Sequence, residues 1–459
     1  MKPIKRLFCR NHRGAALVIS MIFVLVFSAL AVSLAAMSGT NVQIASNQHK
    51  ANLALANAES GLEVVRYWLS STLIPSSTPS SDYLSTIVSV VQSDLAANNI
   101  TNFTVNYDGS IPSVTLDSTT GQTFTGQLQI HPSNPCILQV SITGICGEIT
   151  KTIRVYYNIQ PYEHPIFNYG LATKGPLEFP GNPTITGISE NWEADMYVES
   201  ANNPLALSVV GNTNFDGNVS IGNPNANVDF QGDVQIAGDY GQEAVDNHVF
   251  IGVDSVDFPE PETDRFLQYA TGDVINSSTD LTKGVTITNG FIPAGTNPVF
   301  EESVIIQGIL YIEAPNRVTF GRNVNLRGII VANGDVANPG TNQLKFLGNF
   351  DTDPYPEGSE FDAIRHEIGS SIIAPGFSAS FGGNFSALDG VMSVSGIHFS
   401  GNANAVIKGT IINYSDSPAV VEGNATLNFD RADTTKIPAG FDTHMELNYD
   451  PSSYSEIMP

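Results

Sequence analysis

Two hydrophobic periods divide this chain. Residues 15–37 read AALVISMIFVLVFSALAVSLAAM, 23 positions without a charge. A helix rises about 1.5 Å per residue, so the run is long enough for a hydrocarbon core of roughly 30 Å. Beyond it the pattern stays helical. Leu53, Leu55, Ala56, Leu62, Val65 and Leu69 recur at near-helical spacing, and the next proline is Pro75. One long helix over residues 15–72 is the prediction. A secretory signal peptide fits less well, because its apolar region spans only about 7–15 residues.

After this helix the period changes. SSTLIPSSTPSSDY reads as a linker, and residues 83–97 as a short helix. FTVNYDG, TFTGQLQIH, CILQVSITG and TKTIRVYYNI alternate as strands. Together they predict a small α+β unit over residues 73–162, closed by Pro161 and Pro165. From Phe167 a ragged repeat begins, an apolar residue and a variable one followed by Gly-Asn. Its copies start at Phe179, Phe215, Phe346, Phe381, Phe399 and Val421, with variants at Phe230 and Phe320. Gly328, Gly390 and Gly409 each precede a second apolar run. Separations near 15–22 residues, or about twice that, suit a solenoid of short strands with Gly and Asn at the corners. A sandwich is the alternative. The predicted solenoid covers residues 163–435, with insertions near 240–300 and 350–366, and residues 436–459 form a cap or tail. The fold class is mostly β with a long N-terminal α-helix.

Composition agrees, with 40 Gly, 26 Pro and only 14% charged residues, a mix that favours short strands and tight turns. Charge adds an orientation. Lys2, Lys5, Arg6, Arg10 and Arg13 precede the apolar run, and no acid appears before Glu59. A basic flank stays cytoplasmic, which sends the rest of the chain outward. With those five set aside, 15 Lys and Arg face 45 Asp and Glu, a net charge of about −30. Such a surface repels nucleic acid and anionic headgroups.

Candidate chemistry is sparse. Cys9 sits upstream of the apolar run. Cys136 and Cys146 bracket CILQVSITGIC, whose strand–turn–strand look places them across a hairpin as a disulfide candidate. Asp254, Asp257, Glu260, Glu262 and Asp264 form one acidic set, and Asp351, Asp353, Glu357, Glu360 and Asp362 another. Interspersed prolines make both read as solvated loops. Arg365-His366-Glu367 mixes base, His and acid without a recognised motif, and the eight His show no metal spacing. The sequence therefore offers no catalytic residue, no metal site and no cofactor.

The junction Arg13-Gly14-Ala15-Ala16-Leu17-Val18 resembles the start of PilX-type minor pilins of the type IV pilus assembly system. Residues 56–63, AlaAsnAlaGluSerGlyLeuGlu, resemble that family's Ala-rich, Glu-containing segment. The resemblance covers roughly residues 8–70. It implies a prepilin leader over residues 1–14, cut after Gly14 to leave Ala15 as the new N-terminus. Major pilins of this system carry Glu as the fifth mature residue, where its carboxylate can pair with a neighbouring subunit's amine. Here that position is Ile19. Minor pilins of the PilX kind, and the tip pseudopilin of type II secretion, are similar in lacking it. The resemblance implies a structural protein with a single inner-membrane span and an extracytoplasmic solenoid. Its partners would be pilin subunits and the pilus assembly machinery, with room for a surface or glycan ligand on the solenoid. Two alternatives are a membrane-anchored carbohydrate-active enzyme of the β-helix type and a plain envelope scaffold.

Overall fold

A computed structural model describes residues 13–119, 121–400, 404–435 and 437–457, with side chains from residue 16 onward. The expected leader lies outside these residues except for its last two. The chain divides into two compact units, Pro161–His444 and the segments on either side of it.

The flanking segments build a helix-on-sheet unit. Helix α1 (Arg13–Ser70) is continuous over 58 residues, and no proline interrupts it. From residue 54 onward one stripe is buried: Ala54, Ala58, Leu62, Val65 and Leu69. Strand β1 (Leu73–Pro75) and helix α2 (Tyr83–Ala97) follow. Helix α2 buries Tyr83, Ile87, Val88, Val91 and Leu95, the apolar stripe of a half-buried helix. It ends where Asn99 takes φ 55° and the Ile100 N–H reaches the Leu95 carbonyl. Strands β2 (Ser110–Asp117), β3 (Gln122–His131), β4 (Asn134–Cys146) and β5 (Ile149–Pro161) are antiparallel neighbours in sequence order. FTVNYDG is not a strand; its Phe103 and Val105 nevertheless enter the core.

The C-terminal strand His444–Ile457 is the first correction. It lies between β1 and β5 in a six-stranded sheet, so it is no cap on the solenoid. Met445, Leu447 and Tyr449 alternate toward the core of the helix-on-sheet unit. The solenoid is thus an insertion between two adjacent strands of this sheet.

The cysteine pair is the second correction. Cys136 and Cys146 sit near opposite ends of one strand, β4, some 30 Å apart at about 3.3 Å per residue. No hairpin joins them, and both thiols are free. Gly144, between them on β4, has a purpose of its own. A Cβ there would lie 2.0 Å from the Ala54 carbonyl oxygen and 2.4 Å from the Ala58 amide nitrogen. The helix backbone rests on this glycine.

Residues 161–444 form a solenoid with three faces of nine, seven and eleven strands, parallel throughout except for the short antiparallel edge strand Asp239–Tyr240 of the seven-stranded face. The nine-stranded face runs Asn227–Gln231, Leu205–Val210, Leu177–Pro180, Ala419–Val421, Ile397–Phe399, Ser378–Phe381, Gln343–Phe346, Arg317–Phe320 and Val299–Phe300. This order is not the order of the sequence. The chain starts in the middle, winds outward to Ile251, crosses to the far end through residues 252–284, and winds back to Phe429. The first and last coils then pair, Leu171–Thr173 with Ile411–Asn413 and Thr184–Gly187 with Thr426–Phe429.

The Phe-x-Gly-Asn repeat proves to be a stack. Phe300, Phe320, Phe346, Phe381 and Phe399 are register partners on successive strands. Their ring centroids are 5.0, 5.0, 4.9 and 5.2 Å apart with nearly parallel planes, a spacing set by the strand separation of about 4.8 Å. Val421 and Leu177–Phe179 continue the face. Phe215 departs from the series, since it lies on the seven-stranded face opposite Ile185 and Ile236. Gly401 and Asn402 of the copy at Phe399 lie outside the described residues. Asn316 shows what the corner amides do. Its Nδ2 donates to the Pro293 and Glu313 carbonyls, and its Oδ1 accepts the Asn297 N–H at 2.7 Å, so a nearly buried amide is fully satisfied.

The predicted insertions shrink. Helix α3 (Gly241–His248) buries Ala244 beside the last outward coil, and Val249–Ile251 still pairs within the solenoid. Val285–Ile292 is already a coil strand. Residues 252–284 leave the rhythm, and 353–367 form a second excursion. Neither is a solvated loop throughout. Phe258 packs on Ala172, Tyr197 and Ile412, while Phe266, Phe361 and Ile364 pack with Ile309, Tyr311, Ile329 and Val331. Those partners point outward from the eleven-stranded face, so these segments form its apolar cover.

A buried polar clasp holds the junction of first and last coils. Glu193 is fully buried; one carboxylate oxygen accepts the Arg431 and Ala432 N–H groups, the other those of Ser189 and Glu190. Arg431 returns across the junction to the Asn168, Glu193 and Phe167 carbonyls. Burial would raise the Glu193 pKa, but the four backbone donors outweigh it and hold the carboxyl below its ordinary 4.5.

Three outcomes are expected. Phe346→Ala, removing the centre of the stack, lowers unfolding free energy by about 3–5 kcal/mol in denaturant titrations. Thiol labelling of the folded protein with peptide mapping modifies Cys136 and spares buried Cys146. Glu193→Gln destabilises by about 2 kcal/mol or more at pH 7. Because the native pKa is depressed, the carboxylate's contribution is complete above the ordinary value and is lost as pH falls through the native one. The stability gap between wild type and Glu193→Gln therefore narrows below about pH 4.5. This difference is the right readout, because burial shifts the nearby Asp195 carboxyl upward.

Candidate functional site

Helix α1 carries the clearest functional design. Its residues 16–50 are all exposed, including Leu17, Phe23, Leu25, Phe27 and Leu34. Among the described residues it is the one helix long and apolar enough to cross a membrane; its most apolar window has a mean hydropathy of 2.8. An apolar surface of that length has no stable place in water. Gly14 and Ala15 fall in its first turn. Ile19, the position without Glu, is 53% exposed and surrounded by apolar side chains.

Past residue 50 the same helix changes role. Ala54, Ala58 and Gly61 make a small-residue seam on the sheet, where a Cβ on Gly61 would lie 2.6 Å from the Phe124 ring. Asn57, buried beside it, donates to the Ile145 carbonyl at 2.9 Å. Glu59 and Glu63 face outward, and Arg66 lies over the Tyr449 ring at 4.7 Å. The Ala-rich, Glu-containing segment is therefore a docking surface on one side and solvated on the other.

The acidic sets do not converge on a reaction centre. Asp264 accepts from the Tyr311 hydroxyl, Asp353 from Asn325, and Asp362 pairs with Arg365 at 2.8 Å. Arg365 also donates to the Pro356 and Gly358 carbonyls. His366 is exposed, and Glu367 accepts from Arg265 and Tyr269. Arg265 thus ties the first covering segment to Glu367 of the second, and it also reaches Asp442 at 2.6 Å. Isolated charges in apolar stretches gave no sequence signal for this strut or for the Glu193–Arg431 clasp. No group of three His, Cys, Asp or Glu among the described residues is placed to hold a metal.

Comparison with known proteins bears on α1. Residues 13–63 match the family model described as PilX N-terminal. The matched PilX-like segment takes in the whole exposed apolar half of α1 and the start of its docking half. By that segment the chain is pilin-like and related to the type IV pilus. No curated protein matches the chain. Among solved structures, the competence-associated pilin ComZ from Thermus thermophilus is 12% identical, with a TM-score of 0.25 over 89% of this chain and 98% of that one. An ice-binding protein from the Antarctic ascomycete Antarctomyces psychrotrophicus is also 12% identical, with a TM-score of 0.19 over 59% and 95%. Scores this low carry no weight for fold or function.

Replacing Gly144 with Val in β4 is expected to undock the PilX-like helix from its sheet. Limited proteolysis within residues 50–70, slow in the wild type, is the measurement that checks it.

Proposed function

We propose that this protein is a minor, PilX-like subunit of a type IV pilus or related assembly, placed at or near the filament tip and displaying its solenoid outside the inner membrane. A single observation carries the reading. The exposed apolar half of α1 lies within the PilX N-terminal match and has Ile19 where an acid would pair with a neighbour's amine. A buried amine without a partner is costly. A subunit with nothing ahead of it avoids that cost, while one inside the filament does not. The solenoid, inserted between adjacent strands, is then a large surface available for adhesion. The role is structural rather than enzymatic, in keeping with Glu367 and Asp442 engaged on Arg265 as a strut.

Two measurements test this. Intact-mass analysis of the membrane-extracted protein should give an N-terminus at Ala15 only when a prepilin peptidase is present. A cut beyond residue 37, or an intact leader, ends the filament reading. Labelled protein should mark the ends of sheared filaments, and Ile19→Glu should spread the label along them. Even labelling by the unmutated protein refutes the tip position.

A further inference from the structure

We infer that a trough on the solenoid binds a neutral or amino-bearing sugar residue of a surface glycan. This inference rests on the proposed display of the solenoid, and it names the class of ligand.

The trough begins with glycine. Gly369, Gly390 and Gly409 occupy successive coils where the seven- and eleven-stranded faces meet, and they line one cavity of about 410 Å3. No side chain could replace two of them. Gly390 has φ +125°, and a Cβ on Gly409 would lie 2.4 Å from the Gly390 carbonyl oxygen. The floor is therefore bare backbone, with Phe167 and Val391 beside it. Its volume falls within the range of about 300–1,000 Å3 usual for small-ligand sites.

Charge lines the rim in an unusual way. Asp389 and Lys408 are register partners on neighbouring strands, and Asp430 follows Phe429, the partner of Ile407. Asp433 completes the rim. Carboxylate, ammonium and carboxylate thus stand in successive coils, the first two on neighbouring strands and Asp430 one residue past the third. None of these four side chains makes an ion pair or hydrogen bond with any described residue. Elsewhere on the solenoid, Glu367 and Asp442 are tied to Arg265, Asp362 to Arg365, and Glu367 also to Tyr269.

The donor and acceptor inventory selects the ligand. Three carboxylates offer only acceptors, and Lys408 offers only donors. Thr434 and Thr435 already donate to the Arg431 and Ile437 carbonyls, so they too offer acceptors. A partner must donate several hydrogen bonds and accept at least one. Vicinal hydroxyls do both, and an amino sugar adds an ammonium. Among the described residues, an anionic ligand meets three carboxylates against one ammonium. A basic peptide meets Lys408 in the middle of the rim. A divalent cation lacks a suitable ligand group among the described residues.

The test uses the full chain in detergent micelles, with cellobiose, chitobiose, sialyllactose and tetralysine as probes in calorimetric titration. Cellobiose or chitobiose binds and sialyllactose does not. The double substitution Asp389→Asn with Asp430→Asn weakens that binding at least about tenfold, as does Lys408→Met alone, each with an unchanged melting temperature. If the double variant fails to fold, Lys408→Met supplies the comparison. Binding of tetralysine in place of the sugars overturns the inference. So does the absence of sugar binding, or sugar binding that neither variant changes. Since binding is read on the purified chain, its failure leaves cleavage after Gly14 untouched, and an uncut leader says nothing against the trough.

Discussion

Leu171–Thr173 and Ile411–Asn413 pair as parallel strands although 240 residues of chain separate them, and the winding of the solenoid depends on that contact. A solenoid wound from one end to the other leaves its termini far apart. Here the chain starts and finishes in the middle, so both ends of the inserted unit emerge together. The Tyr162 N–H reaches the His444 carbonyl at 2.9 Å. Close termini are what allow a domain to be inserted between neighbouring strands without straining either. The closure also has an energetic cost, because it joins strands across a long loop. The Glu193–Arg431 clasp sits at that joint and satisfies backbone groups from both coils.

The middle start forces a second feature. Having wound outward to Ile251, the chain must cross to the opposite end before it can wind back. The crossing segment runs over the eleven-stranded face, and that face is apolar on its outside as well as within. Ile309, Tyr311, Ile329 and Val331 would otherwise be exposed; Phe266, Phe361 and Ile364 cover them. A parallel sheet buried on both sides is the common arrangement, since both faces can then be apolar. On the nine-stranded face the outward row carries polar residues instead, as in Thr319, Lys345 and Ser380.

Legibility in the sequence followed periodicity. The long helix, α2 and the Phe-x-Gly-Asn copies could be read because each repeats one physical event at a fixed spacing, a buried stripe or a stacked ring. Phe215 was misread because the seven-stranded face uses the same turn residues as its neighbour. Cys136 and Cys146 do not face each other because the segment between them is one strand, β4, with no turn in it. Winding order could not be read at all. Nothing in Leu171–Thr173 says that it will meet residue 411 rather than the next coil along. The cover escaped for a similar reason, as Phe258 and Phe266 follow no period and are flanked by acids that suggest solvent.

The candidate sites divide along the same line. Gly14, Ala15 and Ile19 are local features of a helix and were found by resemblance to the PilX kind. The trough is not local. Asp389, Lys408, Asp430 and the three glycines come from successive coils, and only the coil register sets them side by side. A solenoid turns corner glycines, needed for close backbone approach, into a continuous groove whose rim residues can vary without disturbing the stacked core. Phe346 and its neighbours hold the coils in register, so the rim is free to carry charges that serve no folding purpose. On such a scaffold, a charged rim beside a glycine floor is where a ligand is to be sought.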